Sequence, residues 1–484
     1  MSGGGNQNVA SMYLLSPMQE GMLFHALREP HSSAYLEQMS FTVQGSLHKV
    51  HLEESLSLLI DRYDIFRTVF KHTGLKRPLQ IVLKKRNPSI VFEDFTGLTE
   101  DEVKISVEQF KQGDREHGFD LTRDVLLRLA VLKTGDQSYE IIWSHHHILM
   151  DGWCMSIVLK EFFYMYKQLC NGKAIDLPAV KPYVNFINWL KAQDREEALG
   201  YWKNYLAGYE QRTAIPTSSH FTSEEYILEE THLTFSEALT ERLMHLSKYH
   251  QVTMNSMLQA AWGLLLRRYN NTNDVVFGAV VSGRPAEIDG VENMVGLFIN
   301  TLPVRMGPNE SDGTFIETVK RLQQRALDSE KMGYLSLAEV QAQTELKQNL
   351  IDHLFVFQNY PEVYDISGQS EEQDFQVTDF QGFEHTNYSL SVMMHVQANR
   401  LGIKVSYNAS EHRKANIERV ISHLETILEQ IAETPDMRLA EIELASEAEK
   451  HQLLETFNDT AAEYPQDQPI HTLFEEQADR TPEA

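Results

Sequence analysis

Residues 144–153 read Ser144-His145-His146-His147-Ile148-Leu149-Met150-Asp151-Gly152-Trp153. The three consecutive histidines close an apolar run, Tyr139-Glu140-Ile141-Ile142-Trp143, whose composition predicts a strand. Successive side chains of a strand point to opposite faces, so His145 and His147 share a face with Tyr139, Ile141 and Trp143, and His146 takes the other. Imidazole titrates near neutral pH, which makes a histidine triplet at a strand-to-helix corner a candidate general base or proton-positioning site. Asp151-Gly152 fits a tight turn, since Asp bonds local backbone groups or anchors a cation and Gly tolerates close approach. A surface histidine cluster and a metal site are the alternatives. No Cys or His pair elsewhere has ligand spacing, so no metal is assigned.

Upstream, Ser16-Pro17-Met18-Gln19 carries a capping Ser, Pro at the first helical position and Gln at the third, and predicts a helix. A strand through Met39, Phe41 and Val43 and a helix through Leu52, Leu56, Leu59 and Ile60 follow. Strands are expected at Ile65–Phe70, Pro78–Lys84 and Ile90–Phe95, then a helix near Asp101–Gln112 and a strand Leu126–Lys133 that turns into the histidine strand. Beyond Gly152 a helix is expected to about Leu169. This half reads as α+β, one open sheet with flanking helices.

Asn171-Gly172-Lys173 and Leu177-Pro178 interrupt the pattern, and an aromatic-rich helical region runs from Tyr183 to Tyr209. A second α+β block follows. Strands are expected at Glu229–Leu233, Asp274–Ser282, Leu354–Asn359, Leu390–Val396 and Ile403–Tyr407, with helices at Ser236–Tyr249, Met254–Tyr269, Phe315–Met332 and Arg413–Ala432. Two blocks of similar content suggest a duplicated lobe, of which only the first carries the histidines.

Composition narrows the function classes. With 484 residues, 42% of them hydrophobic, two or three domains and a large core are expected. The two cysteines, Cys154 and Cys170, imply no disulfide framework and suit a reducing compartment. The net charge is -26, from 43 basic and 69 acidic residues, which argues against nucleic acid as the partner. The most basic stretch, Lys71, Lys76, Arg77, Lys84, Lys85 and Arg86, reads as a solvated hairpin. The start, Met1-Ser2-Gly3-Gly4-Gly5, lacks a signal-peptide layout, and there is no apolar run of about 18 residues, so a cytoplasmic protein without a membrane partner is expected.

The segment His146-His147-x-x-x-Asp151-Gly152 resembles the signature of the condensation domains of bacterial nonribosomal peptide synthetases. Three further stretches resemble other motifs of that family. They are Ser16–Leu23; Arg62–Phe70, with Tyr63 and Asp64 in place of its usual His-Glu; and Val295-Gly296-Leu297-Phe298-Ile299-Asn300-Thr301. Together they span about residues 12 to 445. The resemblance implies a fold of two chloramphenicol-acetyltransferase-like lobes in a V-shaped pseudo-dimer around a tunnel. The expected division is a linker or cloning remnant at 1–11, lobes at 12–176 and 177–445, and at 446–484 a linker with the truncated start of an adenylation domain. That last likeness rests on Phe457-Asn458-Asp459-Thr460, Tyr464-Pro465 and Leu473-Phe474-Glu475-Glu476-Gln477-Ala478.

The resemblance also implies an amide-forming acyltransferase, in which the α-amine of one aminoacyl thioester attacks the thioester of another. Both substrates would ride on 4'-phosphopantetheine arms of upstream donor and downstream acceptor peptidyl carrier domains beside an adenylation domain. No cofactor bound covalently to this chain is expected. His147 is the implied histidine at the tunnel centre, His146 serves the loop, His145 is incidental, and the Gly152 N–H is a candidate oxyanion donor. Asp151 is the implied structural acid, with Arg284 of Gly283-Arg284-Pro285 as its partner; Arg67 is a further structural candidate, pairing with a carboxylate. The paired histidines argue against the heterocyclising branch, and Ile148–Trp153 resembles the subtype taking an L-configured donor. Epimerisation of a carrier-bound residue and a non-catalytic recruitment module remain as alternatives.

Overall fold

The computed structural model describes residues 8–29, 32–217, 226–308, 313–358, 375–463 and 467–483. The glycines of the amino-terminal start and Tyr464-Pro465 lie outside them. The described residues up to Ile442 form one compact unit and those from Glu443 a second.

The first unit is α+β. Its five-stranded sheet has the spatial order Phe375–Glu384, Leu36–Gly45, Ser138–His146, Leu127–Gly135, Ser89–Asp94. The first four strands pair antiparallel with one another, and the fourth and fifth are parallel. The histidine strand is therefore an interior strand, and both of its faces are covered. Ile141 and Trp143 pack with Leu56, Leu59, Val158 and Phe162, from the helices Lys49–Arg62 and Gly152–Cys170. Ile142 packs with Val107, Ala130 and Leu132, under the helix Glu100–His117.

The strand Phe375–Glu384, which the sequence pattern does not announce, comes from the second half of the chain and pairs with Leu36–Gly45 of the first. Phe375 holds it there against Phe163, with ring centroids 5.6 Å apart, and Phe380 against Phe41 at 5.3 Å. Between Thr378 and Gln381 the strand carries one extra residue opposite its partner, and Asp379 adopts a φ of 55°. Such a bulge reverses the side-chain parity of everything beyond it.

A second sheet has six strands, ordered Asn300–Met306, Val275–Val281, Leu354–Gln358, Leu390–Gln397, Arg400–Asn408, Leu228–Thr234. The helix Met254–Asn270 is buried along most of its length, including Trp262 and Leu264 to Leu266, so it reads as a core helix and not an amphipathic one.

Two expectations are corrected. The stretch Ile65–Phe70 is not one strand: Asp64–Arg67 is a 3-10 turn and only Thr68–Lys71 is extended. Arg67 explains the turn, because its guanidinium binds the Ile60 carbonyl at 3.1 Å and the Asp64 carboxylate at 2.6 Å, folding the chain back on the preceding helix. The first half also does not form one sheet. Leu79–Leu83 lies between Val9–Leu14 and Thr68–Lys71 in a separate three-stranded sheet, so a strand begins inside the stretch 1–11 read as a linker.

In the second unit the helix Glu447–Leu454 is capped by Ser446, whose hydroxyl accepts the Glu449 N–H at 3.2 Å, and the helix Ile470–Arg480 follows.

Candidate active site

The strand-to-helix corner places the motif residues. Leu36–Gly45 runs antiparallel to the histidine strand, with Glu37 opposite His145. Opposed residues of a ladder share a face, so Glu37 and His145 point the same way, in phase with Met39, Phe41 and Trp143 but beyond the end of the core. His147, one residue past the strand, joins them: its backbone N–H donates to the Tyr35 carbonyl at 2.8 Å. Glu37 Oε1 lies 3.0 Å from His147 Nε2, and Oε2 lies 2.9 Å from His145 Nε2 without hydrogen-bond alignment. His147 Nδ1 contacts the Met150 carbonyl at 2.9 Å. A carbonyl and a carboxylate only accept, so both nitrogens of His147 carry hydrogen.

Electrostatics agrees with these partners. Burial opposes charge on His147, but the Glu37 carboxylate outweighs it and holds the imidazole up, to about 10. Burial likewise opposes ionisation of Glu37, yet His147 and His145 hold its carboxyl far below the usual range. His146 differs, because it points to the opposite face. Burial, with its two neighbouring imidazoles adding, pushes it down to about 3, and its Nδ1 accepts the Ile148 N–H at 3.1 Å. A neutral ring that fastens the loop is the consequence.

Asp151 is fully buried and stands at the N-terminus of the helix Gly152–Cys170, yet its side chain makes no cap for that helix. It reaches across the chain instead. Oδ2 accepts the N–H groups of Phe298 and Ile299 at 2.9 and 3.4 Å, and Oδ1 accepts Arg284 Nη2 at 3.1 Å. Arg284 also donates to the Val291 and Met294 carbonyls at 2.6 and 3.0 Å and lies over the Phe298 ring. Gly296 and Gly283 permit this packing: a Cβ at Gly296 would stand 2.1 Å from the Tyr183 ring, and one at Gly283 1.9 Å from the Phe298 carbonyl. The Val295–Thr301 stretch is thus the far wall of the corner. Arg67 is not part of this assembly.

His145, His147 and Gly152 line a cavity of about 1500 Å³ together with Glu37 and Glu384. Val280, Leu354, Val356 and Met393 of the six-stranded sheet make an apolar wall of the same cavity. The helix beginning at Gly152 directs its positive end toward this space.

Three contributors escaped sequence reading. Glu37 carried a signal, an acid in phase with the apolar face of an alternating strand. Glu384 carried none, because the bulge that turns it inward is a tertiary feature. Cys154, from which the sequence drew only that no disulfide framework is implied, lies buried with Sγ 3.3 Å from Asp151 Oδ1 and 3.1 Å from Arg284 Nη2. His145, read as incidental, is buried against Glu37.

Among the described residues, Glu37, His147 and Glu384 bring potential donor atoms within 4.8 Å of one another. A metal centre would need the imidazole lone pair aimed at the ion. Here Nε2 lies 3.0 Å from Glu37 Oε1 as an ion pair.

The fold is a chloramphenicol-acetyltransferase-like one, shared with solved condensation domains. One neighbour, a four-domain nonribosomal peptide synthetase bound to AMP and glycine, superposes with a TM-score of 0.82 at 20% identity, covering 99% of this chain and 38% of that one. The starter condensation domain of rhizomide synthetase superposes at 0.74 with 17% identity, covering 90% of this chain and 100% of that one. The condensation-domain pattern matches residues 9–454, and the chain belongs to that family. Its relatives include gramicidin S synthase 2 of Brevibacillus brevis, 44% identical over 480 residues, and bacitracin synthase 1 of Bacillus licheniformis, 40% identical over 477. The chain spans 11% and 9% of these proteins, and the matches cover 99% and 98% of it. No helix among the described residues is long and apolar enough to cross a membrane.

Proposed function

We propose that this chain forms peptide bonds, joining a donor aminoacyl or peptidyl thioester to the α-amine of an acceptor aminoacyl thioester. Both would be tethered by phosphopantetheine to carrier domains of a larger cytoplasmic synthetase, in which residues 446–484 open an adjacent adenylation domain. The observation that carries this reading is His147, which stands on the wall of a large cavity beside the N-terminus of the helix at Gly152. A thioester is already activated, so the remaining demands are alignment of the amine and stabilisation of the oxygen charge. In this reading the His147 imidazolium, held in place by Glu37 and the Met150 carbonyl, sets positive charge beside the reacting centre, and the Gly152 N–H with the helix terminus supports the oxyanion. His146 holds the loop through Ile148, and Asp151 with Arg284 fixes the corner from below. The donor is read as L-configured, from the wording of Ile148–Trp153.

The test is intact mass spectrometry of two loaded carriers mixed with the protein in deuterated buffer, alongside His147→Ala. A dipeptidyl mass on the acceptor carrier, lost in the variant, is expected. Deuterium at an α-carbon without dipeptide would mean epimerisation instead, and carrier binding with neither change would mean a recruitment module.

A further inference from the structure

With both nitrogens of His147 facing acceptors, the ring has no free lone pair for the proton that the attacking amine must lose. Glu37 is also engaged, one oxygen toward each histidine. His145, the other imidazole on this wall, is turned toward Glu37, and of the three clustered groups the one left without a partner is Glu384. It stands opposite Glu37 in the ladder, so the two carboxylates share a face, and it lines the cavity. Among the described residues its carboxylate has no hydrogen-bond or ion-pair partner, although it lies within 4.8 Å of the other two members.

The bulge is what puts it there. Phe375 and Val377 share the buried parity of their strand, and Glu384 would fall on the other face if the strand were regular. The extra residue at Thr378–Gln381 reverses the parity, and bulges beside reaction sites commonly re-aim a side chain in this way.

We propose that Glu384 is a catalytic base of the condensation reaction, accepting the proton of the acceptor's α-amine as its nitrogen bonds to the thioester carbon. The C–S bond then breaks, the phosphopantetheine thiolate leaves, and Glu384 passes the proton to its sulfur. One amine and one thioester give one amide and one thiol, and the carboxylate is regenerated without any co-reactant. This assignment rests on the peptide-bond-forming reading above.

The groups facing Glu384 are Glu37 and His147, with Lys404 and Glu230 from the six-stranded sheet. Burial, then the charge of Glu37, raises its carboxyl above the ordinary range, against smaller opposing effects of His147 and Lys404. A carboxylate raised in this way is a better proton acceptor near neutral pH.

The experiment compares wild type, Glu384→Gln and Glu384→Asp in single-turnover dipeptide formation between loaded carriers, with the fold checked by circular dichroism. Acceptors bearing an α-amine and an aminooxy group are both used. The aminooxy acceptor stays neutral across the profile and removes the ammonium's own titration from it. Glu384→Gln is expected to lose about 100-fold or more in rate with the amine, at unchanged acceptor affinity. With the aminooxy acceptor it should also lose the plateau that follows the wild-type acid limb, its rate instead rising about tenfold per pH unit throughout. The defect should shrink with the aminooxy acceptor, whose nitrogen gives up its proton more readily once attached.

A rate within about threefold of wild type, or a loss uniform in pH and equal for both acceptors, would overturn the assignment. If Glu384→Gln fails to fold, Glu384→Asp carries the test: the acid limb must persist while the rate falls, and an unchanged rate overturns the proposal. Wild type forming no dipeptide would overturn the functional reading itself and the base with it, whereas dipeptide formed equally by wild type and Glu384→Gln overturns the base alone.

Discussion

Asp151 and Arg284, 133 residues apart in sequence, meet at 3.1 Å with both side chains buried, and tie the histidine corner to the Val295–Thr301 segment. Asp151 also accepts two backbone N–H groups there, so it serves as a tether more than as a simple ion pair.

Removing one member should leave the other charged and buried. Asp151→Asn and Arg284→Met are each expected to cost about 3–5 kcal/mol in urea denaturation. The double variant should lose less than the sum of the two, by at least about 1 kcal/mol. Strict additivity would show that the contact carries no energy.

Stability should peak near the ordinary histidine range, because His146 and His147 are shifted in opposite directions. His146 is held low in the folded state, so its contribution is complete above about pH 6.5 and is lost as pH falls toward its folded value of about 3. His147 is held high, so its contribution is complete below about 6.5 and is lost as pH rises through about 10. Each limb should slope by about 1.4 kcal/mol per pH unit in chemical denaturation measured between pH values. Glu37→Gln should flatten the alkaline limb, leave the His146 slope above about pH 4.5, and remove below that pH the further loss that Glu37 itself contributes. A profile unaltered by that substitution would dissociate Glu37 from His147.

Two glycine substitutions should act with opposite signs. Gly283 has a φ of 59° and its missing Cβ would meet the Phe298 carbonyl at 1.9 Å, so Gly283→Ala must displace backbone at the corner. It should cost more than about 2 kcal/mol and lower activity with it. Gly21 sits inside the helix Pro17–Arg28 with nothing within 4 Å of a Cβ, and Gly21→Ala should stabilise by about 0.5–1 kcal/mol. Thermal melts of the two variants decide the matter.

The two thiols should separate kinetically. Cys170 is exposed, whereas Cys154 is buried and its thiol is pushed up to about 12 by burial and by Asp151. A thiolate-selective reagent is expected to modify one cysteine in the native protein and the second only on unfolding. Rapid reaction of both would mean that the corner opens in solution.

Much of this architecture was legible in the chain. The capping box at Ser16 and Gln19 forms as written, with Ser16 N–H donating to Gln19 Oε1 at 2.9 Å. The histidine strand and the helix after Gly152 lie where periodicity puts them, because both bury continuous apolar faces that a local pattern records. Ile65–Phe70 misled, since an apolar and aromatic stretch reads as a strand while the turn depends on Arg67 reaching carbonyls on other elements.

The strand that ends in histidines, the helix that starts at Gly152 and the family of the motif could all be read from the order of residues. These follow from local periodicity, capping and residue order. Folding in three dimensions was needed to bring Glu37 against His147, to send Asp151 to Phe298 in preference to capping its own helix, and to turn Glu384 into the cavity at all. Those outcomes depend on strand register, on a chain crossing between the two halves, and on one extra residue in a bulge. Each is set by packing between distant segments, which no local pattern of side chains encodes.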